Sequence, residues 1–148
     1  MRFVRYQESG DPNVRFGWIY GDLVGEIEGN IFGEFRRLEA SLPMYTVKLQ
    51  SPVVPGKIIA VEWNYLDQTR EFNRSLSDFP SIFYKPTSAV IGMNDPIILP
   101  LVSQQVEQEC ELAVVIGKTA KAVLPEHAFD YIFGYTVAND VTARDLQQ

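Results

Sequence analysis

The sequence has little cysteine, histidine and basic charge, and each shortage excludes a class of protein. A single Cys excludes an internal disulfide and a metal cluster built on thiolates. The 13 Lys and Arg residues stand against 19 Asp and Glu, giving a formal net charge of −6. This balance argues against nucleic acid or an anionic membrane as the main partner, because both are bound through clustered basic side chains. The single His, His127, is predicted to lie on the surface of a short helix.

Long apolar runs are also absent. No run approaches the roughly 18 residues of a membrane-spanning helix, and the first residues, MRFVRYQESGD, have no apolar stretch of signal-peptide length. We therefore expect no membrane span, and the single Cys is compatible with a reducing cytoplasm, where we place the protein. With 148 residues and an apolar fraction of 46%, the chain is long enough to bury a hydrophobic core.

Proline and glycine divide the chain into two parts. Residues 1–50 alternate between apolar and polar positions, with Gly and Asp at the turns, and predict a small N-terminal β module. Within it, FGEFRRLEASL at 32–42 is predicted to form a short helix. Residues 51–56, SPVVPG, are a Pro-rich linker, and we place the domain boundary there. Residues 57–148 form the second part.

The second part has the pattern of short strands joined by short helices. Strands are predicted at 57–65, 81–86 and 136–140, a strand, turn and strand at 88–100, and helices at 64–76, at 124–135 with Gly134 near its end, and from Asp140 onward. On the helix at 64–76, Tyr65, Gln68 and Glu71 share one face by their spacing. The predicted fold class is therefore mostly β with short helices.

Two carboxylates stand out in the stretch VEQECELAVVIGK, residues 106–118. Glu109 and Glu111 are two residues apart in a run of strand formers, so their side chains would stand on one face with Cys110 on the other. Like charges at this separation repel unless a cation or a proton lies between them. The pattern leaves two interpretations open: an edge strand with two solvated acids, or half of a cation site.

A second set of polar residues lies at the end of the chain. If a helix starts at Asp140, then Arg144 and Gln147 follow on the same face. The guanidinium of Arg matches a carboxylate with two parallel donors, although an ordinary solvated ion pair gives the same spacing. If Asp140 converges with Glu109 and Glu111, oxygen-only ligands select a hard cation: Mg²⁺, Mn²⁺ or Ca²⁺. Such a cation could bind a 2-oxo acid and stabilise its enolate.

From Lys57 onward, the chain resembles the fumarylacetoacetate hydrolase superfamily. The resemblance lies in four stretches: NY followed by an acid-rich helix, FYKPTSAVIG with NDPIILP, ECELAVVIGK, and GYTVANDVTARDLQ. It implies part of that family's mixed β-barrel or roll, preceded by the small β module that many relatives carry. The implied site residues are Glu109, Glu111 and Asp140 as Mg²⁺ ligands, Arg144 and Gln147 against the substrate carboxylate, and Lys85 and Tyr65 beside the substrate.

The chain departs from the family pattern in the N-Y-x-x-H motif. Hydrolytic and decarboxylating relatives often carry a His there, paired with a Glu three residues on, to activate water or move a proton. Here the His position is Gln68, while Glu71 is kept and is predicted to transfer a proton. Glutamine has no titratable nitrogen and cannot act as a general base. The residues before the motif, Glu62 and Trp63, replace a Gly-containing pattern.

The chain also stops at Gln148, before two further pocket motifs of the family. We therefore expect it to be a fragment of a longer protein, or to be completed by another chain; a truncated natural protein is the third option. The resemblance implies a homodimer and a small 2-oxo or diketo acid as the substrate. The predicted reaction is C–C hydrolysis or decarboxylation through a metal-stabilised enolate. The alternatives are a keto–enol isomerase and a non-catalytic relative that keeps the metal and carboxylate site. A further alternative is a plain β-rich interaction module in which all the acids are solvated.

Overall fold

The computed structural model describes residues 1–71 and 78–147, and the contacts divide the chain into two units. The first unit comprises Met1–Glu28 and Arg36–Asp95, and the second comprises Gly29–Phe35 and Pro96–Gln148. Each unit is a set of residues that are close in space, and neither unit is one continuous stretch of the chain. The predicted domain boundary at 51–56 stays a prediction.

A five-stranded sheet forms the core of the first unit, in the order β4-β3-β2-β1-β5. Strand β1 pairs antiparallel with both β2 and β5, and β2 pairs antiparallel with β3. The predicted β module is confirmed. The bounds are Arg2–Glu8 (β1), Val14–Tyr20 (β2), Leu23–Gly29 (β3), Phe35–Pro43 (β4) and Val47–Gln50 (β5).

The sheet packs tightly around a few side chains. Tyr6, Val24 and Ile27 are buried, and the indole Nε1–H of Trp18 donates a 2.9 Å hydrogen bond to a backbone carbonyl of β4. A Cβ at Gly25 would lie 2.5 Å from that Nε1 atom, so only glycine fits there. Buried aromatic and β-branched side chains of this kind hold a small sheet together.

The helix predicted at 32–42 is wrong, because these residues contribute strand β4. Leu38, Ala40 and Leu42 are half-buried, while the residues between them are exposed. This is the two-residue period of a strand with one face on a core, and it outweighs the helix propensity of the segment.

A two-stranded sheet follows in the first unit: β6 (Ile58–Glu62) pairs antiparallel with β7 (Ser81–Lys85). Helix α1 (Leu66–Glu71) lies between these strands in the sequence; the rest of the predicted helix, through residue 76, is outside the described residues. The strand, turn and strand predicted at 88–100 is wrong, since every described residue from 86 to 105 lies outside a strand.

The physical reason is proline, which lacks the N–H that a sheet ladder requires and occurs in this segment at positions 86, 96 and 100. A short 3-10 helix, Thr87–Ala89, starts the segment instead. Asp95 then closes a turn by accepting a 2.8 Å hydrogen bond from the Gly92 N–H and forming a 2.6 Å ion pair with Lys48. The ion pair with Lys48, with the help of the Gly92 N–H, holds the pKa of Asp95 below its ordinary value of 3.8.

The second unit is built on two short antiparallel pairs. Strand β9 (Cys110–Ile116) pairs with β10 (Ile132–Asn139), and β8 (Val106–Glu107) pairs with β11 (Thr142–Ala143). A β-bulge interrupts β10 between Ile132 and Gly134. The predicted strands at 106–118 and 136–140 are therefore confirmed over most of their length.

Two helix predictions in this unit are corrected. The segment at 124–135 contains a 3-10 helix, Pro125–Tyr131, and Gly134 lies inside β10 rather than at a helix end. The terminal helix from Asp140 is wrong: Thr142–Ala143 is a strand because its backbone groups pair with β8, and only one 3-10 turn, Arg144–Leu146, follows. Within 1–71 and 78–147, every helix is too short or too polar to cross a membrane.

Candidate metal and carboxylate site

The register of β9 against β10 brings the candidate carboxylates to one face. Glu111 lies opposite Ala138, and the Asp140 N–H donates a 2.9 Å hydrogen bond to the Glu109 carbonyl, which continues the ladder by one step. Directly opposed residues of an antiparallel pair point to the same face, as do residues two apart on one strand. Glu109, Glu111 and Asp140 therefore share a face, and the small Ala138 leaves room beside Glu111.

The ladder extends beyond these residues in the same register. Glu107 of β8 pairs with Thr142 of β11, and the Arg144 N–H donates a 2.8 Å hydrogen bond to the Gln105 carbonyl. The two short sheets are thus one interrupted ladder, because one offset relates every pair from Gly134 to Ala143. Glu107 and Thr142 consequently lie on the face that carries the candidate metal ligands.

Electrostatics supports the convergence of the three acids. Burial raises the pKa of Glu111 above its ordinary value, and the negative charges of Glu109 and Asp140 raise it further. Repulsion of this kind requires the carboxylates to lie near one another. A cation among them would remove the repulsion.

Arg144 is the positive centre of the site. Its Nε–H donates a 2.9 Å hydrogen bond to Glu107 Oε2, and its Nη1 donates to Gln147 Oε1 at 2.9 Å and lies 3.1 Å from Glu109 Oε1. The Arg144 side chain is only 17% exposed. The hydrogen bond to Glu107 raises the pKa of Arg144, and the charge of Glu109 adds to this effect.

Glu109 and Glu107 are each held by further polar side chains. The Thr142 hydroxyl oxygen lies 2.7 Å from Glu109 Oε1 and 2.9 Å from the Asp140 carbonyl, so its single proton serves one acceptor at a time. The Gln105 amide donates a 2.6 Å hydrogen bond to Glu107 Oε1, and this bond, with that from Arg144, lowers the pKa of Glu107.

The segment around Arg144 is anchored from behind by Asp145. Its carboxylate accepts a 2.6 Å hydrogen bond from the Ser103 hydroxyl and a 2.7 Å bond from the Gln104 N–H. These bonds, the one from Ser103 foremost, keep the pKa of Asp145 below its ordinary value. The backbone that carries Arg144 is therefore fixed by polar contacts.

The donors at this site fit a hard divalent cation in type, since all three predicted ligands supply oxygen. Over residues 1–71 and 78–147, however, no three His, Cys, Asp or Glu side chains are grouped closely enough to hold a metal ion as they stand. Thr142 and Arg144 contact the Oε1 atom of Glu109. Arg144 thus supplies the positive charge beside Glu109.

The four remaining predicted site residues belong to the first unit. Tyr65 is 47% exposed and its carbonyl accepts the Thr69 N–H at 3.1 Å. Gln68 and Glu71 lie in helix α1, but their side chains are outside the described part of the chain. Lys85 ends β7, half-buried. The roles of these four residues stay predictions.

The altered motif before Tyr65 has an unusual backbone. Trp63 has φ 55°, in the left-handed region that favours glycine and costs other residues about 1 kcal/mol. Its carbonyl accepts a 3.4 Å hydrogen bond from the buried Thr69 hydroxyl, which also lies 3.1 Å from the Tyr65 carbonyl. The start of helix α1 is therefore tied to the strained turn.

Sequence reasoning missed Glu107 and Thr142. Each lies two residues from a predicted ligand, Glu107 before Glu109 and Thr142 after Asp140. The alternation of side chains in a strand, which places Glu109 and Glu111 on one face, also places Glu107 on the face of Glu109 and Thr142 on the face of Asp140. Because a helix was expected from Asp140, Thr142 was not placed on the same face as Asp140.

Comparison with known proteins agrees with the motifs. Residues 57–148 match the family described as "Fumarylacetoacetate (FAA) hydrolase C-terminal", and residues 1–52 match "Rv2993c-like, N-terminal". The oxaloacetate tautomerase fahd2 of Xenopus laevis is 36% identical over 171 residues, covering 99% of this chain and 54% of the relative.

Two solved structures are also similar. The 5-carboxymethyl-2-hydroxymuconate delta-isomerase of Mycobacterium smegmatis matches with a TM-score of 0.85 and 38% identity, covering 99% of this chain and 57% of that one. The maleylpyruvate hydrolase of Sphingobium sp. SYK-6, solved with manganese(II) and pyruvate, matches with a TM-score of 0.72 and 28% identity, covering 97% and 60%. The chain spans about half the length of the curated relatives it matches.

Proposed function

The chain belongs to the fumarylacetoacetate hydrolase family, and we propose that it supplies the metal and carboxylate site of an enzyme that isomerises a small 2-oxo or diketo acid. One observation carries the proposal: a single ladder register gathers Glu109, Glu111 and Asp140 on one face, with Arg144 in contact with the first of them. The activity proposed is that of the whole protein, to which this chain contributes.

Glu109, Glu111 and Asp140 would hold the divalent cation. When bound, Mg²⁺ or Mn²⁺ supplies positive charge that stabilises an enolate. The raised pKa of Glu111 supports this assignment, since a carboxylate that is costly to ionise alone gains most from a cation nearby. A manganese(II) complex of a relative that is 28% identical makes Mn²⁺ the first ion to test.

Arg144 and Gln147 would hold the substrate carboxylate. Arg144 uses Nε and Nη1 in its contacts with Glu107, Glu109 and Gln147, and a guanidinium has two more N–H groups on Nη2. These N–H groups lie on one nitrogen and diverge, so Nη2 donates one hydrogen bond to a substrate carboxylate; the parallel two-donor pairing requires Nε or Nη1 to leave its present partner. Because Gln147 accepts from Arg144 through Oε1, its amide nitrogen remains the donor end of that side chain.

Isomerisation fits this chain better than hydrolysis or decarboxylation, which the sequence motifs alone ranked first. Hydrolysis needs an activated water, and Gln68 stands where relatives carry the His that activates it. Keto–enol exchange needs only proton transfer, for which Glu71 stays the predicted carrier. The relatives named as a tautomerase and an isomerase are 36% and 38% identical, while the named hydrolase is 28% identical.

The test measures enol–keto exchange and pyruvate release in parallel. The protein is incubated with Mn²⁺ and either oxaloacetate enol, an acylpyruvate or fumarylpyruvate, and enol absorbance is recorded while released pyruvate is assayed. We expect faster enol–keto exchange than with Mn²⁺ alone, and no pyruvate above the metal-only rate. Glu109→Ala should abolish the acceleration, whereas Glu126→Gln, an exposed acid on the 3-10 helix Pro125–Tyr131, should keep it.

Three results would change the proposal. Pyruvate release by the wild type would restore the hydrolase or decarboxylase assignment. Acceleration that survives Glu109→Ala would remove the metal mechanism. No turnover by the wild type, with hydrolysis appearing in Gln68→His, would identify a relative that has lost its activity and kept its site. The homodimer and the cytoplasmic location stay predictions.

A further inference from the structure

We propose that Glu107 is a positioning residue that controls how strongly Arg144 competes with a divalent cation for Glu109. The inference rests on the proposed function, because it concerns the same metal and carboxylate site. It assigns a role to a carboxylate that is not one of the three predicted metal ligands.

The geometry places Glu107 and Glu109 on one guanidinium. Arg144 Nε lies 2.9 Å from Glu107 Oε2, and Arg144 Nη1 lies 3.1 Å from Glu109 Oε1. Glu107 is the more exposed of the two acids, with 44% of its side chain accessible against 18% for Glu109. Glu107 is therefore the outer partner of Arg144, and Glu109 is the inner one.

Glu107 is held in this position from two directions. Its backbone is fixed by the pairing of β8 with β11, in which it lies opposite Thr142. Its Oε1 atom accepts a 2.6 Å hydrogen bond from the Gln105 amide, which leaves Oε2 for Arg144. An exposed acid that is fixed at both the backbone and the carboxylate orients the group that it contacts.

The charge of Glu107 affects how tightly a cation binds at Glu109. A cation bound by Glu109 and the guanidinium of Arg144 compete for one carboxylate. The negative charge of Glu107, paired with Nε of Arg144, partly neutralises the guanidinium. It therefore weakens the electrostatic attraction between Arg144 and Glu109. Without that balance, Arg144 pairs with Glu109 alone and the cation binds less tightly. Partly exposed ion pairs contribute about 0.2 to 1 kcal/mol, which limits the effect to about fivefold in affinity.

The test is a double-mutant cycle on Mn²⁺ affinity, measured by isothermal titration calorimetry. Glu107→Gln keeps the shape and a hydrogen-bond acceptor but removes the charge, and Arg144→Met removes the competing cation. We expect Glu107→Gln to weaken Mn²⁺ binding about two- to fivefold when Arg144 is present, and less than about twofold in Arg144→Met. Glu107→Asp, which keeps the charge, should stay closer to the wild type than Glu107→Gln.

Controls separate this inference from the proposed function. Glu126→Gln removes an equal charge elsewhere in the same unit and should leave Mn²⁺ affinity unchanged, and circular dichroism checks that each variant is folded. A wild type without saturable Mn²⁺ binding overturns the proposed function and this inference with it. A wild type that binds Mn²⁺, with Glu107→Gln equally weakened in both backgrounds or not weakened at all, overturns this inference alone.

Discussion

Replacement of Glu111 by Gln should move stability and metal binding in opposite directions. The substitution keeps the size of the side chain but removes a charge that burial, Glu109 and Asp140 all disfavour. The metal-free protein should therefore become more stable. The same substitution removes one of three predicted metal ligands, so the stabilisation that Mn²⁺ gives to the wild type should be lost.

The magnitudes follow from the exposure of the site. Glu111 is half-buried, so solvent screens its repulsion, and two like-charge pairs at about 0.2 to 1 kcal/mol each suggest a gain of about 1 kcal/mol in free energy of unfolding. For a chain of this size that gain raises Tm by about 2 to 4 °C. In the wild type, Mn²⁺ at about 100 times its Kd should add about 2.7 kcal/mol.

Differential scanning calorimetry after chelator treatment, with and without Mn²⁺, provides the assay. Without metal, Glu111→Gln should melt above the wild type; with Mn²⁺, the order should reverse. Glu126→Gln serves as the charge-matched control and should follow the wild type in both conditions. The reasoning is refuted if the metal-free variant melts at or below the wild-type temperature while Mn²⁺ stabilises both proteins equally.

Three further predictions concern other contacts. Gly25→Ala should lower the free energy of unfolding by about 1 to 3 kcal/mol in urea titrations, because the new methyl group collides with an indole nitrogen at 2.5 Å; Gly56→Ala, which meets nothing within 4 Å, is the control. Asp95→Asn should destabilise the protein at neutral pH. Lys48 lowers the pKa of Asp95 in the folded protein, so the ionised Asp95 carboxylate stabilises the fold fully above its ordinary pKa of 3.8 and progressively less below it. The difference in Tm between wild type and Asp95→Asn should therefore shrink in thermal melts at lower pH. A difference in Tm that does not change with pH would contradict the ion pair with Lys48. Thr142→Val should strengthen Mn²⁺ affinity by up to about fivefold, because it removes a hydrogen bond of about 1 kcal/mol that competes with the cation for Glu109; Thr142→Ser, which keeps the hydroxyl, should stay near the wild type, and weaker binding in Thr142→Val would contradict the competition.

The sequence predicted strands β9 and β10 and the shared face of Glu109 and Glu111, because side-chain alternation is a local property of the strand. It placed Arg144 and Gln147 together for the wrong reason. They were expected on a helix that starts at Asp140; the structure has one 3-10 turn, Arg144–Leu146, and the two side chains meet through a 2.9 Å hydrogen bond. A spacing of three residues serves both geometries, so the contact was predicted although the element was not.

The contacts of Arg144 could not be predicted from local pattern. The resemblance implies that its guanidinium contacts the substrate, which stays a prediction; the structure shows in addition that it contacts both Glu107 and Glu109. That arrangement depends on the pairing of β8 with β11, a contact between residues far apart in the chain. Strand β4 gives the same lesson: its residues favour a helix locally, and the core beneath Leu38 makes them a strand.

The bulge in β10 has a consequence for how such proteins can vary in length. The irregularity lies at Phe133, at the end of the β9–β10 ladder remote from Glu109, and the pairing is regular from Gly134 to Asn139. An inserted residue in the connection between Gly117 and Tyr131 is therefore absorbed before it reaches the carboxylates. One inserted residue between Glu109 and Glu111 would instead turn one carboxylate to the opposite face. Within the β9–β10 pair, we expect natural length variation in that connection rather than beside Glu109 and Glu111.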